Sequence, residues 1–314
     1  MCCLFGIVDH RRSLTVKQKN RLLSVLAVAA EARGTDATGI AYNSGGKLRI
    51  YKRPWPARRM HFRVPIDAKV IMGHTRMATQ GSARKRQNNH PFLGEAGGRQ
   101  FALAHNGVLY NDKQLRYVKG LPFTHIETDS YIGVQLIEQQ KALGFSSLKY
   151  MAEEVEGSFV FTVLDRRDQL YIVKGNNPLC ICHFPKTGLF VYASTEEILQ
   201  SALSGIGFLS EKPVQITIKC GEILRIGSDG TLKRQTFDSF PLYSCWDDPL
   251  WWGYGCHPWK PAAPKTDAYL KEVKAIAVSF GYDPEDIDRL AEKGFSPEEI
   301  EEFLYEGELC HACQ

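Results

Sequence analysis

Met1-Cys-Cys-Leu-Phe-Gly-Ile-Val8 opens the chain. Leu4–Val8 is a short run of β-prone apolar residues and reads as a strand. The run has no positive start and passes directly into Asp9, His10 and Arg11, which is not the pattern of a secretory signal. Alternation along a strand sends Cys2 and Cys3 to opposite faces, and Cys3 is read as structural. With Met1 removed, Cys2 would carry a thiol and a free α-amine whose pKa is about 8. The amine can take the thiol proton, directly or through a water, so one residue supplies both nucleophile and base. The dipeptide alone is equally open to an inert buried thiol or to lipidation at Cys2 and Cys3.

Four further motifs follow: Arg33-Gly-Thr-Asp-Ala-Thr-Gly39, Gly73-His-Thr-Arg-Met-Ala-Thr79, His105-Asn-Gly107 and Glu127-Thr-Asp129. With the opening they resemble, in order and spacing, the class II glutamine amidotransferases, a family with an N-terminal nucleophile. Glutamine–fructose-6-phosphate aminotransferase, amidophosphoribosyltransferase and asparagine synthetase are members, and the opening is nearest to the last. Asn176-Asn-Pro-Leu179 and Ala193-Ser-Thr-Glu196 sit where the family has similar segments, so the resemblance covers residues 2–236. It implies an α+β fold of the Ntn-hydrolase type, an αββα four-layer sandwich. It also implies hydrolysis of L-glutamine to L-glutamate and ammonia through a Cys2 thioester.

Each motif has a physical use in that reaction. Attack on an amide carbonyl creates an oxyanion, which Asn106 can meet with a side-chain N–H and Gly107 with a backbone N–H. Taken alone, Asn106-Gly107 reads instead as a hairpin turn after a strand over Gln100–Asn106. The amino-acid head of glutamine is a zwitterion. The resemblance gives Arg76 the carboxylate, with Thr79 beside it, and Asp129 the ammonium; outside the motif these would be an ion pair and a helix N-cap. Arg33 and Asp36 read as support for the first strand. Met77 and Gln80 depart from the sugar-aminotransferase branch, which has Trp and His there. Gly81–Pro91 resembles the loop that closes over substrate, and its Arg84-Lys-Arg86 triplet reads as a solvated stretch.

Coarse periodicity gives helices at Val16–Ala32, Asp129–Lys141, Ser147–Glu154 and Thr195–Leu203 among many short strands. The glutaminase domain is expected over residues 2–240. An aromatic and Pro-rich linker follows over 241–265, and a small helical tail over 266–314. That tail repeats Gly281-Tyr-Asp-Pro-Glu-Asp-Ile287 as Gly294-Phe-Ser-Pro-Glu-Glu-Ile300, each with a cap residue and a first-turn proline. Four of the five tryptophans crowd Phe237–Trp259, a surface expected either to pack back on the domain or to dock a partner.

A net charge of +4 gives no argument for nucleic acid, and no apolar run reaches a membrane span. Nine cysteines, an odd count, read as mostly reduced thiols of a cytoplasmic protein. Cys310-His-Ala-Cys313, with Cys245, Cys256 and His257, has a spacing seen in zinc sites but matches no zinc module, so no metal and no cofactor are expected. The stretch after the domain is short for an ammonia-using domain, so the expected partners are L-glutamine and an ammonia-accepting protein. An Ntn amidohydrolase acting on another amide, or a non-catalytic module keeping the fold, are the alternatives.

Overall fold

Strand β1 (Cys3–Asp9) is buried on both faces, and its apolar side chains divide by parity between two cores. Cys3, Phe5 and Ile7 join a cluster with Leu22, Leu23, Leu26 and Ile198 from helices α1 (Val16–Ala29) and α5 (Glu196–Ser204). Leu4 and Val8 face the other way, into a layer shared with Ala102, Ala104 and Val160. A strand buried on both faces needs cover on both sides. The computed structural model, which describes residues 2–209, 211–239, 242, 270, 273–274, 277–278, 282–292 and 300, supplies it with a second sheet and a helical layer.

The first sheet has seven antiparallel strands in the order β11-β9-β10-β1-β4-β2-β3. Here β2 is Ala37–Ser44, β3 Lys47–Arg53, β4 Val70–Arg76, β9 Cys180–Phe184, β10 Leu189–Ala193 and β11 Val214–Gln215. The second has six, ordered β13-β12-β8-β7-β6-β5. These are β5 Phe92–Ala96, β6 Arg99–Leu109, β7 Gly157–Asp165, β8 Leu170–Lys174, β12 Glu222–Ile226 and β13 Leu232–Thr236. Helices α3 (Ile132–Gln139) and α4 (Phe145–Glu154) cover its outer face through Val134, Ile137, Leu148 and Met151. The result is the αββα four-layer sandwich that the resemblance implied.

Local chemistry explains the ends of α1. Thr15 Oγ1 accepts the Gln18 N–H at 3.2 Å and Gln18 Oε1 accepts the Thr15 N–H at 3.0 Å, a reciprocal cap. Three elements have no counterpart in the sequence reading: β5, helix α2 (Asp112–Val118) and β13. The segment from Asp129 also differs. It is a 3-10 turn over Asp129–Tyr131 leading into α3, shorter than the helix expected to Lys141.

The contact pattern divides the chain into Met1–Asp248 and Pro249–Gln314. Within the second unit, α6 (Pro284–Glu292) starts at the expected proline, and Asp283 Oδ1 accepts the Glu285 N–H at 3.0 Å. Val273, Ala277, Ile287, Leu290 and Ile300 form its apolar cluster. The four clustered tryptophans, the linker 260–265, most of the second repeat copy and Cys245, Cys256, His257, Cys310 and Cys313 lie outside the described residues.

At the far end of β1 from Cys2, Lys19 and Asp9 are a fully buried pair at 3.5 Å, with Lys19 Nζ also donating to the carbonyls of Ala68 (2.6 Å) and Ile66 (3.1 Å). Removing Lys19 leaves the Asp9 carboxylate buried with only the Ser13 and Leu14 hydrogen bonds to offset its charge. Lys19→Met is therefore expected to lower unfolding free energy by about 3 kcal/mol in urea titration. Adding Asp9→Asn to it should recover part of that loss, because the stranded carboxylate is then gone.

Candidate active site

Parity and register bring the predicted residues together. Cys3 pairs with Thr75 across β1 and β4, so one more step of the register sets Cys2 opposite Arg76. Cys2 has the parity of Leu4, and Arg76 that of Val70 and Met72, which line the space between the sheets. On the facing sheet, Asn106 has the parity of Ala102 and Ala104 in that same layer. Directly opposed residues on one face of an antiparallel pair stand about 5 Å apart at Cβ. Cys2 and Arg76 are such neighbours, and Asn106 looks in from the other sheet.

The Cys2 thiol donates to the Met77 carbonyl at 3.5 Å, and Arg33 Nε donates to the Cys2 carbonyl at 3.0 Å. Burial raises the thiol above its ordinary pKa of 9.0; Arg76 pulls it down and Asp129 pushes it up. Arg76 in turn feels Cys2, Asp36, Asp129 and Glu127, against a burial that lowers its own pKa. Arg76 and Asp129 therefore act on one region around the thiol. Cys3 lies in the helix-side core, its thiol pushed up to about 11 by burial, as suits a structural residue.

The Arg76 head is held by backbone and amide groups. Nη1 donates to Asn89 Oδ1 at 2.7 Å, and Nη2 to the carbonyls of Gln80 (2.5 Å) and Gly81 (2.9 Å). Asn89 Nδ2 donates to the Ala83 carbonyl at 2.7 Å, so this asparagine joins the guanidinium to the 77–85 segment. Lys52 Nζ donates to the Asn89 carbonyl (2.5 Å) and the Pro91 carbonyl (3.0 Å). Burial and the nearby charges of Arg86 and Arg76 lower Lys52 to about 8. Thr79 is exposed on the segment that covers the Arg76 head.

Asp129 is not an N-cap. Its Oδ2 accepts the Leu109 N–H at 2.7 Å and its Oδ1 the Ser130 hydroxyl at 3.3 Å, which ties the carboxylate to the end of β6. Nor is Asn106-Gly107 a hairpin turn. Both lie inside β6, paired with Val160 and Phe159 of β7. Gly107 has φ 149°, and a Cβ there would sit 1.8 Å from the Ser158 carbonyl oxygen. Glycine is required at that point by the approach of the neighbouring strand.

Several residues without an expected role support these. Asn177 Nδ2 donates to the Asn106 carbonyl at 2.9 Å, and Asn176 Oδ1 accepts the Phe159 N–H at 3.1 Å, which gives the Asn176-Asn-Pro-Leu179 motif a function. Ser194, from the other weak motif, accepts the Leu4 N–H at 2.9 Å and faces Asn106 Nδ2 at 3.4 Å. His74, His90 and His105 are buried close by: His74 and His90 have ring centroids 4.1 Å apart, and His74 Nε2 meets the His105 carbonyl at 3.0 Å. Burial lowers all three, His74 to about 3, which disfavours their charged forms. Among the described residues no three His, Cys, Asp or Glu side chains group as metal ligands.

A seven-stranded and a six-stranded antiparallel sheet under helices, with a cysteine leading the central strand, define an Ntn-hydrolase fold. Residues 1–137 match the family described as glutamine amidotransferases class-II, and residues 74–201 match a glutamine amidotransferase domain family. Residues 1–201, spanned by these two overlapping matches, thus carry the sequence of a glutamine amidotransferase domain, class-II over residues 1–137. The chain is similar to glutamine–fructose-6-phosphate aminotransferase (isomerizing) of Staphylococcus aureus, 31% identical over 193 residues, covering 58% of this chain and 30% of that protein. The protein of the same name in Streptococcus pyogenes is 31% identical over 191 residues with the same coverage. The chain thus spans less than a third of these relatives' length. Among solved structures, glutamine phosphoribosylpyrophosphate amidotransferase from B. subtilis, complexed with ADP and GMP, shares the fold: TM-score 0.58, 22% identity, 76% of this chain and 49% of that one.

The thiol's surroundings set a measurable pH response. With Met1 in place, the rate of Cys2 alkylation by iodoacetamide should climb only above pH 9, since burial raises the thiol from 9.0. Loss of Met1 puts an amine beside the sulfur and should move the onset to lower pH. Rate–pH profiles of the two forms, with Cys2 labelling confirmed by peptide mass, check this.

Proposed function

We propose that this chain hydrolyses the side-chain amide of L-glutamine, with Cys2 as nucleophile after removal of Met1. One observation carries the reading: the thiol at the head of β1 is flanked by Arg76 and influenced by Asp129, a cation and an anion suited to a zwitterionic head. In this scheme the α-amine of Cys2 takes the thiol proton, and the sulfur attacks the amide carbon. Asn106 Nδ2 and the Gly107 N–H receive the oxyanion. The protonated amine then gives its proton to the leaving nitrogen, ammonia departs, and water hydrolyses the thioester to glutamate. Arg76 and Thr79 take the substrate carboxylate and Asp129 its ammonium.

The state of the buried histidines favours the amine as base. His74 is committed to the His105 carbonyl, and His105 Nδ1 meets Ser130 Oγ at 2.8 Å. Both have their protonation disfavoured by burial, which removes them as proton acceptors near neutral pH. Residues 2–240 form the glutaminase unit in this proposal, with 241–265 a connector and 266–314 a helical tail. In this proposal the ammonia passes to an ammonia-accepting protein partner, and the site of action is the cytoplasm. Among the described residues no helix is long and apolar enough to cross a membrane.

Glutamate and ammonia release from purified protein tests the proposal directly. Cys2→Ala should abolish release without changing the far-ultraviolet circular dichroism, whereas Cys3→Ala should keep most of it. Activity surviving Cys2→Ala, or retention of Met1 in active protein by intact mass, would sink the scheme. Asn89→Ala, which frees the Arg76 head from the 77–85 segment, is expected to raise KM for glutamine about 10-fold, the loss of one hydrogen bond to a charged group, with a smaller change in kcat.

A further inference from the structure

Asn106 can seat its carboxamide in either of two orientations of nearly the same shape. Its side chain is fully buried, Nδ2 faces Ser194 Oγ at 3.4 Å, and Oδ1 is buried with no hydrogen-bond partner. Ser194 Oγ already accepts the Leu4 N–H at 2.9 Å, so the bond it still has to make is a donation from its own hydroxyl. A carboxamide nitrogen directed at this oxygen leaves the hydroxyl hydrogen without the best acceptor at hand, and it uses up the N–H that an oxyanion needs. Cys3 Sγ, which also approaches Ser194, is a weak acceptor and sends its own hydrogen to the Leu4 carbonyl at 3.2 Å.

A half-turn of the carboxamide exchanges Oδ1 and Nδ2 with almost no change in shape. The Ser194 hydroxyl then donates to Oδ1, and Nδ2 takes the place of the unpartnered oxygen with an N–H to spare. We infer that Ser194 is a positioning residue that fixes the Asn106 carboxamide in this second orientation, keeping its N–H free for the substrate oxyanion. The inference rests on the glutaminase reading and adds to it a residue that acts through Asn106.

The support is directional. Ser194 N–H donates to the Leu4 carbonyl at 2.9 Å while its Oγ accepts from the Leu4 N–H, so two bonds clamp it to the strand that bears Cys2. From that fixed point the polarity runs one way: Leu4 N–H to Ser194 oxygen, Ser194 O–H to Asn106 Oδ1, Asn106 N–H to the reacting oxygen. The Asn106 backbone is fixed separately, by its pairing with Val160 and by Asn177 at its carbonyl. The half-turn of the carboxamide is thus the freedom left, and the Ser194 hydroxyl is the group that chooses between its two states.

Steady-state kinetics of full-length protein test this. Wild-type protein that releases no ammonia would count against the glutaminase reading itself. Given an active wild type, Ser194→Ala should lower kcat about 10- to 100-fold, short of the loss of a whole oxyanion donor, with KM within about 3-fold. In an Asn106→Ala background the same substitution should cost little more, because the carboxamide it orients is absent. Ser194→Thr, which keeps the hydroxyl, should restore much of kcat. Thermal melts confirm that each variant is folded. An unchanged kcat in Ser194→Ala, an equal loss in both backgrounds, or a loss confined to KM would each overturn the proposal.

Discussion

The pairing of β1 with β4 holds the rest of the site in place. β1 sits fourth of seven in its sheet, with β10 on one side and β4 on the other, and both its faces are buried. A slip of one residue would drive Phe5 and Ile7 into the intersheet layer and Leu4 and Val8 toward α1, exchanging two packed cores at once. Gly73 and Gly6 show how tight the fit is: a Cβ at Gly73 would lie 2.3 Å from the Phe5 ring, and one at Gly6 2.4 Å from the Ile71 carbonyl oxygen. The register that places Cys2 opposite Arg76 is thus enforced by the packing of Leu4, Phe5, Ile7 and Val8 on both faces of β1.

That rigidity lets the polar layer between the sheets be assembled from groups far apart in sequence. Ser194 lies 190 residues from Leu4 and 88 from Asn106, yet contacts both. Asp129 reaches back 20 residues to the Leu109 amide, and Asn177 71 residues to the Asn106 carbonyl. The Ser194 contacts link Asn106 of the second sheet to the first sheet's strand, while the Asp129 and Asn177 bonds brace the end of β6 itself. His74 belongs to the same layer, whereas His105 lies on the other face of β6, stacked on Phe161 and against Ser130 Oγ. His74 and His105 each make a hydrogen bond, and burial disfavours a second cation beside Arg76 at either ring.

The fold class was legible because motif order carries it, and the long strands because their apolar runs are unbroken. Misreadings fall where a local signal meets a tertiary demand. Asn-Gly is a strong turn signal, but here the glycine answers to the Ser158 carbonyl of the adjacent strand and the asparagine to the space between sheets. β13, exposed along its whole length, lacks the apolar alternation that marks a strand, and α2 is too short for its period to show. Ser194, Asn177 and Asn89 could be seen in the sequence only as members of weak motifs or of a loop. Their work is to hold other side chains, and no pattern of spacing announces a partner 88 or 71 residues away.

The charges around Arg76 show why this pocket can remain receptive to an anion. Three carboxylates lie close enough to influence the guanidinium: Asp36, Glu127 and Asp129. Each is engaged elsewhere. Asp36 Oδ2 accepts the Ala78 N–H at 2.7 Å, Asp129 takes the Leu109 N–H, and Glu127 is bound by Lys85 and, at 2.8 Å, by Asn88 Nδ2. The partners left to Arg76 are neutral oxygens: Asn89 Oδ1 and the carbonyls of Gln80 and Gly81. A carboxylate bonds a guanidinium roughly twice as strongly as such neutral acceptors do. An arriving carboxylate can therefore displace the two loop carbonyls at a net gain, whereas a protein carboxylate in their place would have closed the pocket with its own salt bridge. Lys85 contributes by pairing with Glu127, which like Asp36 is exposed. The basic triplet that reads as a solvated stretch in the sequence thus has one member that engages an acid otherwise free to pair with Arg76.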